Sequence, residues 1–192
     1  MKRIVILIDG TWNKEGITSN TNVAALDPGN PIVADAFIKT TGGDRHRAVT
    51  GRREVMLCDI EDAALVKAVA DLKLTNADVD GVRADVSLKA ELQAAADATI
   101  ARHGKVHILV NNAGVGGGGS YGRWSDASWN WTLGVNLMSV VWGVEIFGPL
   151  IEAHGEGGQI VSTASIAGLI AGAGPAYNVT KYGVVALSEG LR

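Results

Sequence analysis

Short apolar runs and longer amphipathic segments follow one another along most of this chain. The apolar runs are rich in β-branched residues and predict buried strands, whereas the longer segments repeat apolar residues every three or four positions, as helices do. The predicted strands cover residues 3–8, 54–58, 79–86, 106–110 and 159–165, and the predicted helices cover residues 61–74, 88–103, about 126–153, and the chain from Pro175 onward. Because strands alternate with helices, we expect an α/β fold of three layers (α/β/α), with a doubly wound parallel sheet between two layers of helices.

Local signals support the predicted helix boundaries. Ser87 and Ser125 stand where an N-cap hydroxyl would accept a hydrogen bond from the first helical turn. Gly104 follows the second predicted helix, where glycine commonly ends a helix. Pro175 opens the last helix at the first turn, which proline favours.

Polar residues follow several of the predicted strands. Asp59, Asp85, Ser165 and the stretch Asn111–Gly114 each come at the end of an apolar run. In a doubly wound sheet, ligands bind beyond the carboxyl ends of the parallel strands. We therefore expect these residues to gather at one edge of the sheet and to form a binding site there.

The stretch 162–181 holds the strongest candidate catalytic groups. Ser165 is followed by Tyr177 twelve positions later and by Lys181 four positions after that. On a helix, a spacing of four places Tyr177 and Lys181 on one face. An ammonium beside a phenol stabilises the phenolate, so the tyrosine can act as a general acid and base, and a serine hydroxyl nearby could hold a substrate oxygen. The pair alone is equally compatible with a half-buried tyrosine beside a solvated lysine.

Composition narrows the class of protein. The chain of 192 residues is 47% hydrophobic and 19% charged, which suits one globular domain. Its net charge of -3 argues against nucleic acid or an anionic membrane as the main partner. The single cysteine, Cys58, excludes an internal disulfide and fits a reducing compartment. Asp9 interrupts the first apolar run too early for a signal peptide, and polar residues interrupt the uncharged stretches 127–144 and 157–180, so we expect a soluble, cytoplasmic protein.

Four motifs in order resemble those of the short-chain dehydrogenase/reductase family. They are Asn111-Asn112-Ala113-Gly114 after an apolar strand, Asn136 within Val-Asn-Leu, Ser165 before Ile-Ala-Gly, and Tyr177-Asn-Val-Thr-Lys181. The resemblance covers about residues 54–192 and implies a Rossmann-like sheet. It also implies an NAD(P)-dependent oxidoreductase, which transfers hydride between a nicotinamide cofactor and an alcohol or carbonyl carbon of a small-molecule substrate.

The resemblance implies a role for each motif residue. Tyr177 would donate or remove the hydroxyl proton, while Lys181 would stabilise its phenolate and hold the nicotinamide ribose. Ser165 would orient the substrate oxygen, and Asn136 would support a water that links Lys181 to solvent. The implied cofactor-binding residues are Thr41, Gly42, Gly43, Asp59, Asp85, Val86, Asn111, Ala113, Gly114, Tyr177 and Lys181.

Asp59 bears on the choice of cofactor. A carboxylate at the end of the second cofactor-binding strand accepts hydrogen bonds from a ribose 2′-hydroxyl and repels a 2′-phosphate. NAD is therefore expected in preference to NADP, although a turn or helix-capping aspartate is the alternative. Asp85 and Val86 resemble the pair that flanks the adenine in the family, and Asp85 is equally compatible with a plain turn.

The sequence departs from the family pattern in two places. A dinucleotide site needs a glycine-rich turn between a strand and a helix, and Thr41-Gly42-Gly43 begins such a turn. Asp44-Arg45-His46-Arg47 follows it, however, and only 18 positions separate Thr41 from Asp59, which leaves little room for a normal first helix. The chain also ends at Arg192 within the helix of Tyr177, so we expect a sheet truncated at its C-terminus.

The N-terminal segment resembles a different family. Arg3–Asn13, with Thr21–Ala24 after it, is similar to the start of an uncharacterised α/β-hydrolase-like family related to secreted bacterial phospholipase effectors. This resemblance covers about residues 1–26. We therefore expect a single domain in which an atypical segment, 1–40, precedes a Rossmann-like core, 41–192, and we hypothesise a fused, truncated or rearranged gene.

Two other functions remain open. A truncated or fused, non-catalytic remnant of the family would keep the fold while binding cofactor poorly. A serine hydrolase could instead use Ser120, because Gly118-Gly119-Ser120-Tyr121-Gly122 matches G-x-S-x-G. That nucleophile needs a strand leading directly into the serine and a helix leading out of it, whereas glycines precede Ser120 and His154 is the only histidine after it.

The sequence also bears on whether the chain binds a metal ion and whether it pairs with other copies of itself. His103 and His107 are four positions apart, but Gly104 ends the helix between them, so they do not share a face and no metal site is expected in this chain. The tryptophans mostly fall on or near the long helix and suit a core or a partner-facing surface. The family resemblance implies a homo-oligomer that pairs through the helices around 126–153 and 175–192.

Overall fold

The fold is built on a five-stranded sheet in which all neighbouring strands are parallel. The computed structural model describes residues 4–8, 54–74, 78–117 and 119–191, and for residues 4–8 it describes the backbone. The strand order is β3-β2-β1-β4-β5. The strands are β1 (Ile4–Ile8), β2 (Glu54–Asp59), β3 (Asp78–Arg83), β4 (Ile108–Asn111) and β5 (Gln159–Ser162).

A helix follows each of the strands β2 to β5, as the alternating pattern predicts. The helices are α1 (Asp62–Lys73), α2 (Lys89–His103), α3 (Asp126–Leu133), α4 (Ser139–Glu152) and α5 (Pro175–Gly190). A π-helical segment, Gly134–Met138, joins α3 to α4, and a short 3-10 turn, Ile166–Gly168, lies between β5 and α5. This is the predicted Rossmann-like α/β fold.

The centre of the sheet comes from the N-terminal segment. β1 pairs with β2 from Ile4 opposite Glu54 to Ile8 opposite Cys58, and with β4 on its other side. The sequence predicted a buried strand at residues 3–8, and residues 4–8 form the strand that joins the two halves of the sheet. Parallel hydrogen bonding on both sides makes β1 an integral part of the sheet.

Two apolar cores cover the two faces of the sheet. On one face, Leu92 of α2 and Phe147 of α4 pack with Leu109 of β4, and all three side chains are fully buried. On the other face, Leu65 of α1 packs with Leu57 of β2. Helices therefore bury both faces, which explains why the strands read as continuous apolar runs rather than alternating ones.

The segments from α3 to α4 form one continuous helix, Asp126–Glu152. By length and composition this helix would be able to cross a membrane, and 44% of its apolar window is buried inside the molecule. Ile146, Phe147 and Ile151 on it belong to the first core. Part of its apolar surface therefore packs against the sheet.

The predicted helix signals are confirmed except at one position. Ser125 accepts a hydrogen bond from Ser128 N at 3.2 Å as the N-cap of α3, and Gly104 ends α2 with a left-handed φ of 82°. The prediction that Ser87 caps α2 is wrong. Its hydroxyl donates to Asp85 Oδ1 at 2.7 Å, and the N-cap residue of α2 is Leu88.

Candidate active site

The carboxyl ends of the central strands lie level with one another. Ile8 of β1 is opposite both Cys58 of β2 and Asn111 of β4, and Asn111 is opposite Ser162 of β5. Residues that directly follow these strands therefore meet at one edge of the sheet, as predicted.

Lys181 is the charged group at the centre of this edge. Its side chain lies on α5 and the residue is only 3% exposed. The ammonium Nζ donates a hydrogen bond to the Thr163 carbonyl at 2.7 Å and lies 5.7 Å from the centre of the Tyr177 ring. Burial lowers the pKa of Lys181 from its ordinary value, because a low-dielectric surrounding disfavours the charged form. The predicted spacing of four thus brings Tyr177 and Lys181 together on one face of α5.

Gly114 borders the Lys181 ammonium. A Cβ atom at this position would lie 3.7 Å from Lys181 Nζ and 3.9 Å from Asn136 Oδ1. The turn after β4 therefore approaches the ammonium with backbone alone. The absence of a side chain at Gly114 leaves space beside Nζ in which a ligand can be held.

Asn136 connects this turn to α5 from a fully buried position. Its Oδ1 accepts from Val115 N at 2.7 Å, and its Nδ2 donates to Val115 O at 2.8 Å. Nδ2 also lies 3.2 Å from Thr180 Oγ1, which in turn donates to the Tyr177 carbonyl at 2.8 Å. Asn136 lies in the π-helical segment, a type of distortion often found at functional sites. Its role in a water path to Lys181 stays a prediction.

Ser165 begins the 3-10 turn that packs against α5. Its Oγ accepts a hydrogen bond from Ala167 N at 3.1 Å, and its side chain is half-buried. Asn178 of α5 holds the same turn through its Nδ2, which donates to Ala167 O at 2.7 Å and to Ile170 O at 3.0 Å. The turn that carries Ser165 is therefore fixed to the helix turn that carries Tyr177 and Lys181.

A cavity of about 680 Å³ opens beside Tyr177. Its lining residues are Gly116, Gly117 and Gly119–Tyr121 from the loop after β4, and Gly172–Pro175 with Tyr177 from the start of α5. A volume of this size can hold a small molecule, and Tyr177 brings to its wall a phenol that lies beside the Lys181 ammonium.

The acidic candidates for cofactor binding lie at the same edge. Asp59 is the last residue of β2, is 2% exposed, and accepts a hydrogen bond from Glu61 N through Oδ1 at 2.9 Å. Asp85 uses Oδ1 to accept from Ser87 N at 2.9 Å, which is the turn geometry of the alternative interpretation, and Val86 beside it is buried.

The other predicted cofactor residues fall into two groups. Asn111 and Ala113 are buried at the end of β4 and in the turn after it, and Asn111 Nδ2 donates to Ser162 Oγ at 3.3 Å. The predicted glycine-rich turn, Thr41, Gly42 and Gly43, lies outside the described residues.

Three residues that support the site were not predicted from the sequence. Thr163 contributes its backbone carbonyl, which any residue type could do, so its side chain carries no signal. Asn178 and Thr180 stand between Tyr177 and Lys181 in the chain. Both have polar side chains and lie inside a helix that packs against other elements. Because buried polar groups need hydrogen-bond partners, this position could have identified them as residues that support the site.

Ser120 lies on the wall of the cavity but not in a nucleophile elbow. It is exposed, in a bend whose carbonyl accepts from Arg123 N at 2.9 Å. His154 hydrogen-bonds Val106 O at 2.7 Å, and Val106 precedes β4 whereas Ser120 follows it. The histidine is thus tied to the opposite edge of the sheet from the serine.

Comparison with known proteins points to one family. The family model for short chain dehydrogenases matches residues 46–192. The 3beta-hydroxysteroid dehydrogenase 2 of Eggerthella lenta is 30% identical over 171 residues, which are 84% of this chain and 66% of that protein. The CLA biosynthesis dehydrogenase/reductase of Lactiplantibacillus plantarum is 30% identical over 137 residues, covering 71% of this chain and 48% of that protein.

Solved structures are similar to this chain over nearly its whole length. A short chain dehydrogenase/reductase from Burkholderia phymatum in complex with NAD superposes with a TM-score of 0.75 at 35% identity, covering 98% of this chain and 58% of that one. The chain spans from about half to two thirds of the length of these relatives.

The predicted α/β-hydrolase-like resemblance of residues 1–26 stays a prediction. Over residues 46–192, the matching family model, the relatives and the arrangement of Tyr177, Lys181 and Asn136 agree. The chain belongs to the short-chain dehydrogenase/reductase family.

Proposed function

We propose that this chain transfers hydride between a nicotinamide cofactor and the carbon of an alcohol or carbonyl group, with Tyr177 as the acid and base. One observation carries the proposal. The buried Lys181 ammonium lies 5.7 Å from the Tyr177 ring, and that ring lines a cavity of about 680 Å³. A fixed cation beside a phenol at a cavity wall is the arrangement that proton exchange with a bound oxygen requires.

Each residue contributes a separate part of the chemistry. Tyr177 passes a proton to a substrate carbonyl oxygen or takes one from a substrate hydroxyl. The positive charge of Lys181 stabilises the phenolate, and the Thr163 carbonyl holds Nζ in place. Ser165, fixed by the turn that packs on α5, orients the substrate oxygen. The nicotinamide cofactor supplies or accepts the hydride.

The described residues fit a nicotinamide cofactor at the carboxyl edge of the sheet. Gly114 leaves space beside Lys181, so the lysine can also hold a ribose. Asp59 ends β2 as a buried carboxylate, which favours NAD over NADP. The NAD-bound relative supports a nicotinamide cofactor in general. A reducing, cytoplasmic compartment suits the single buried cysteine, Cys58.

Cofactor binding is the first measurement. Trp131 packs against Gly117 on the cavity wall, so tryptophan fluorescence should change in a saturable way as NADH is added. NADPH should bind more weakly if Asp59 faces the 2′-position. No saturable change with either cofactor would contradict the proposal and support the non-catalytic alternative.

The Tyr177→Phe variant tests the chemistry separately from binding. It keeps the ring and removes the hydroxyl, so we expect NADH affinity to change little and kcat/KM for secondary alcohols or ketones to fall by about 10²–10⁴. Tyr182→Phe, on the same helix and 44% exposed, is the matched control and should keep full activity. Equal activity in the two variants would remove Tyr177 from the mechanism.

A further inference from the structure

A second cluster of polar side chains lies at the opposite edge of the sheet. His107 directly precedes β4, and His154 and Glu156 lie in the loop that leads from α4 into β5. Because β4 and β5 are neighbouring parallel strands, their amino ends bring these residues together. One ligand atom from each side chain lies within 4.8 Å of the other two. Two imidazoles and a carboxylate are ligands that Zn²⁺ binds in proteins.

Hydrogen bonds at both ring nitrogens fix the tautomer of His154. Its Nε2 is 2.7 Å from the Val106 carbonyl, which can only accept, so Nε2 carries the proton. Nδ1 then carries the lone pair, which accepts a hydrogen bond from Glu156 N at 3.1 Å, so a metal ion has to take the place of that N–H. Metal-bound histidines usually donate their other N–H to a carbonyl or carboxylate, which fixes the tautomer. His154 has this arrangement before any metal is bound.

His107 is held rigidly beside it. The residue is 3% exposed, and its carbonyl accepts from Gln159 N of β5 at 2.8 Å. Its Nε2 lies 2.8 Å from Glu156 Oε2, and its ring centre lies 4.5 Å from that of His154. A Cβ atom at Gly158 would collide with the His107 carbonyl, so the loop lies close against the strand. His107 is therefore held in place, and an ion enters the cluster by displacing the Glu156 N–H from His154 Nδ1 and Lys105 from the Glu156 carboxylate.

Glu156 reaches solvent, and its carboxylate accepts a hydrogen bond from Lys105 Nζ and lies 2.8 Å from His107 Nε2. Lys105 pairs with the other oxygen, Oε1, and is 41% exposed. The lysine can swing into water and leave the carboxylate to another cation.

We propose that His107, His154 and Glu156 form a binding site for a divalent transition-metal ion, with Zn²⁺ as the best fit. The ligands are His154 Nδ1, His107 Nε2 and the Glu156 carboxylate, and water completes a tetrahedral set. The metal takes the place of the proton on His107 Nε2, and the ring becomes the Nδ1–H tautomer. The bound ion displaces Lys105 and ties the α4–β5 loop to the start of β4.

The test is a Zn²⁺ titration of the untagged protein, in competition with a chromogenic chelator. We expect about one tight Zn²⁺ per chain. Glu156→Gln and His154→Gln each remove one ligand, so each should weaken binding by more than the roughly 10–100-fold that loss of an outer-shell partner costs. Glu152→Gln removes an exposed carboxylate from the end of α4 and should bind as the wild type does.

Lys105→Gln distinguishes a metal site from a salt bridge. If Lys105 competes with the ion for Glu156, its loss should tighten Zn²⁺ binding, whereas a purely structural role for the cluster predicts no gain. Zn²⁺ should also raise the Tm of the wild type and of Glu152→Gln more than that of Glu156→Gln. Zn²⁺ affinity unchanged by Glu156→Gln and His154→Gln, or no binding to the wild type, would overturn the proposal.

Discussion

Lys181 is the residue at which function conflicts most clearly with stability. It is 3% exposed and the hydrogen bond described for its ammonium goes to one carbonyl, that of Thr163. Burying an ammonium costs free energy unless partners replace the lost water, and the lowered pKa of Lys181 reflects that cost. The fold tolerates this cation where the proposed chemistry needs it.

Replacing Lys181 with methionine should therefore stabilise the protein while removing its activity. We expect Lys181→Met to raise the free energy of unfolding at neutral pH by about 1–3 kcal/mol, because the buried position then holds no charge. Chemical denaturation measures the difference. A less stable variant would show that the ammonium contributes more through its contacts than its burial costs.

The stability gained by Lys181→Met should also depend on pH. Burial lowers the pKa of Lys181 below the ordinary 10.5, so the unfolded chain binds this proton more tightly than the folded protein does. Wild-type stability therefore rises with pH through the range just below 10.5. Lys181→Met lacks this rise, and its advantage over the wild type should shrink as the pH approaches that value.

At the scale of elements, the 3-10 turn and α5 behave as one unit. Gly168 lies directly on α5, where an added Cβ would stand 2.6 Å from the Lys181 carbonyl oxygen and 2.9 Å from its carbon. Asn178 bonds the turn from the other side. The position of Ser165 relative to Tyr177 thus depends on a close backbone contact.

Gly168→Ala should separate these two elements. We expect a loss of about 1–3 kcal/mol in stability from overpacking and a fall in kcat/KM, since Ser165 moves away from Tyr177. Gly148→Ala, in α4 with no atom within 4 Å of the added methyl group, is the control and should be neutral or slightly stabilising. Full activity in Gly168→Ala would mean that the turn can shift without affecting the site.

The C-terminal end of α2 carries a buried histidine. The side chain of His103 is 0% exposed, and its Nδ1 lies 3.6 Å from Glu54 Oε2. Burial and the nearby Arg102 lower its pKa below 6.5, against the opposing charges of Glu54, Asp78 and Asp80. The folded protein therefore holds this histidine neutral under conditions in which the unfolded chain protonates it.

Acid should destabilise the protein through this group. The stability that neutral His103 contributes is fully present above about pH 6.5 and is lost as the pH falls through its lowered pKa in the fold. His103→Leu should flatten the pH dependence of Tm in this range, and the difference from wild type isolates His103 because the other histidines are present in both. An unchanged pH dependence would contradict the prediction.

At the scale of the whole molecule, apolar side chains are exposed near the site. Val179 and Tyr182 on α5 are 49% and 44% exposed, and Ile166, Leu169 and Ile170 in and after the 3-10 turn are 67%, 63% and 59% exposed. An apolar surface of this kind commonly marks an interface. Val179 and Tyr182 lie within 175–192, one of the two segments through which copies of the chain are expected to pair.

Sedimentation velocity tests that assembly. We expect the wild type to sediment as a dimer or larger oligomer at micromolar concentration, and Val179→Glu to shift it toward monomer, because a charge in an apolar interface is left unpaired. Lys67→Glu, at an exposed position on α1, is the control. A monomeric wild type would refute the assembly.

Several features could be read from the sequence because they depend on local order along the chain. Apolar runs predicted the strands, and the spacing of Tyr177 and Lys181 predicted their common face, since helix geometry fixes which residues are neighbours. Asn178 and Thr180 could have been found in the same way. Hydrogen-bond partners distant in sequence, such as Asn136 with Val115, could not be predicted, because they depend on how segments far apart in the chain pack together.

The sequence by itself thus determined the alternation of elements, the polar residues at the carboxyl ends of strands and the catalytic candidates. Only the tertiary structure decided that Ile4–Ile8 forms the centre of the sheet, and that His107 meets His154 and Glu156 at its other edge. The physical reason is that strand order is set by hydrogen bonding and burial between segments far apart in the chain. The periodicity of apolar residues along the chain indicates which face of an element is buried. It does not indicate which neighbouring element buries that face.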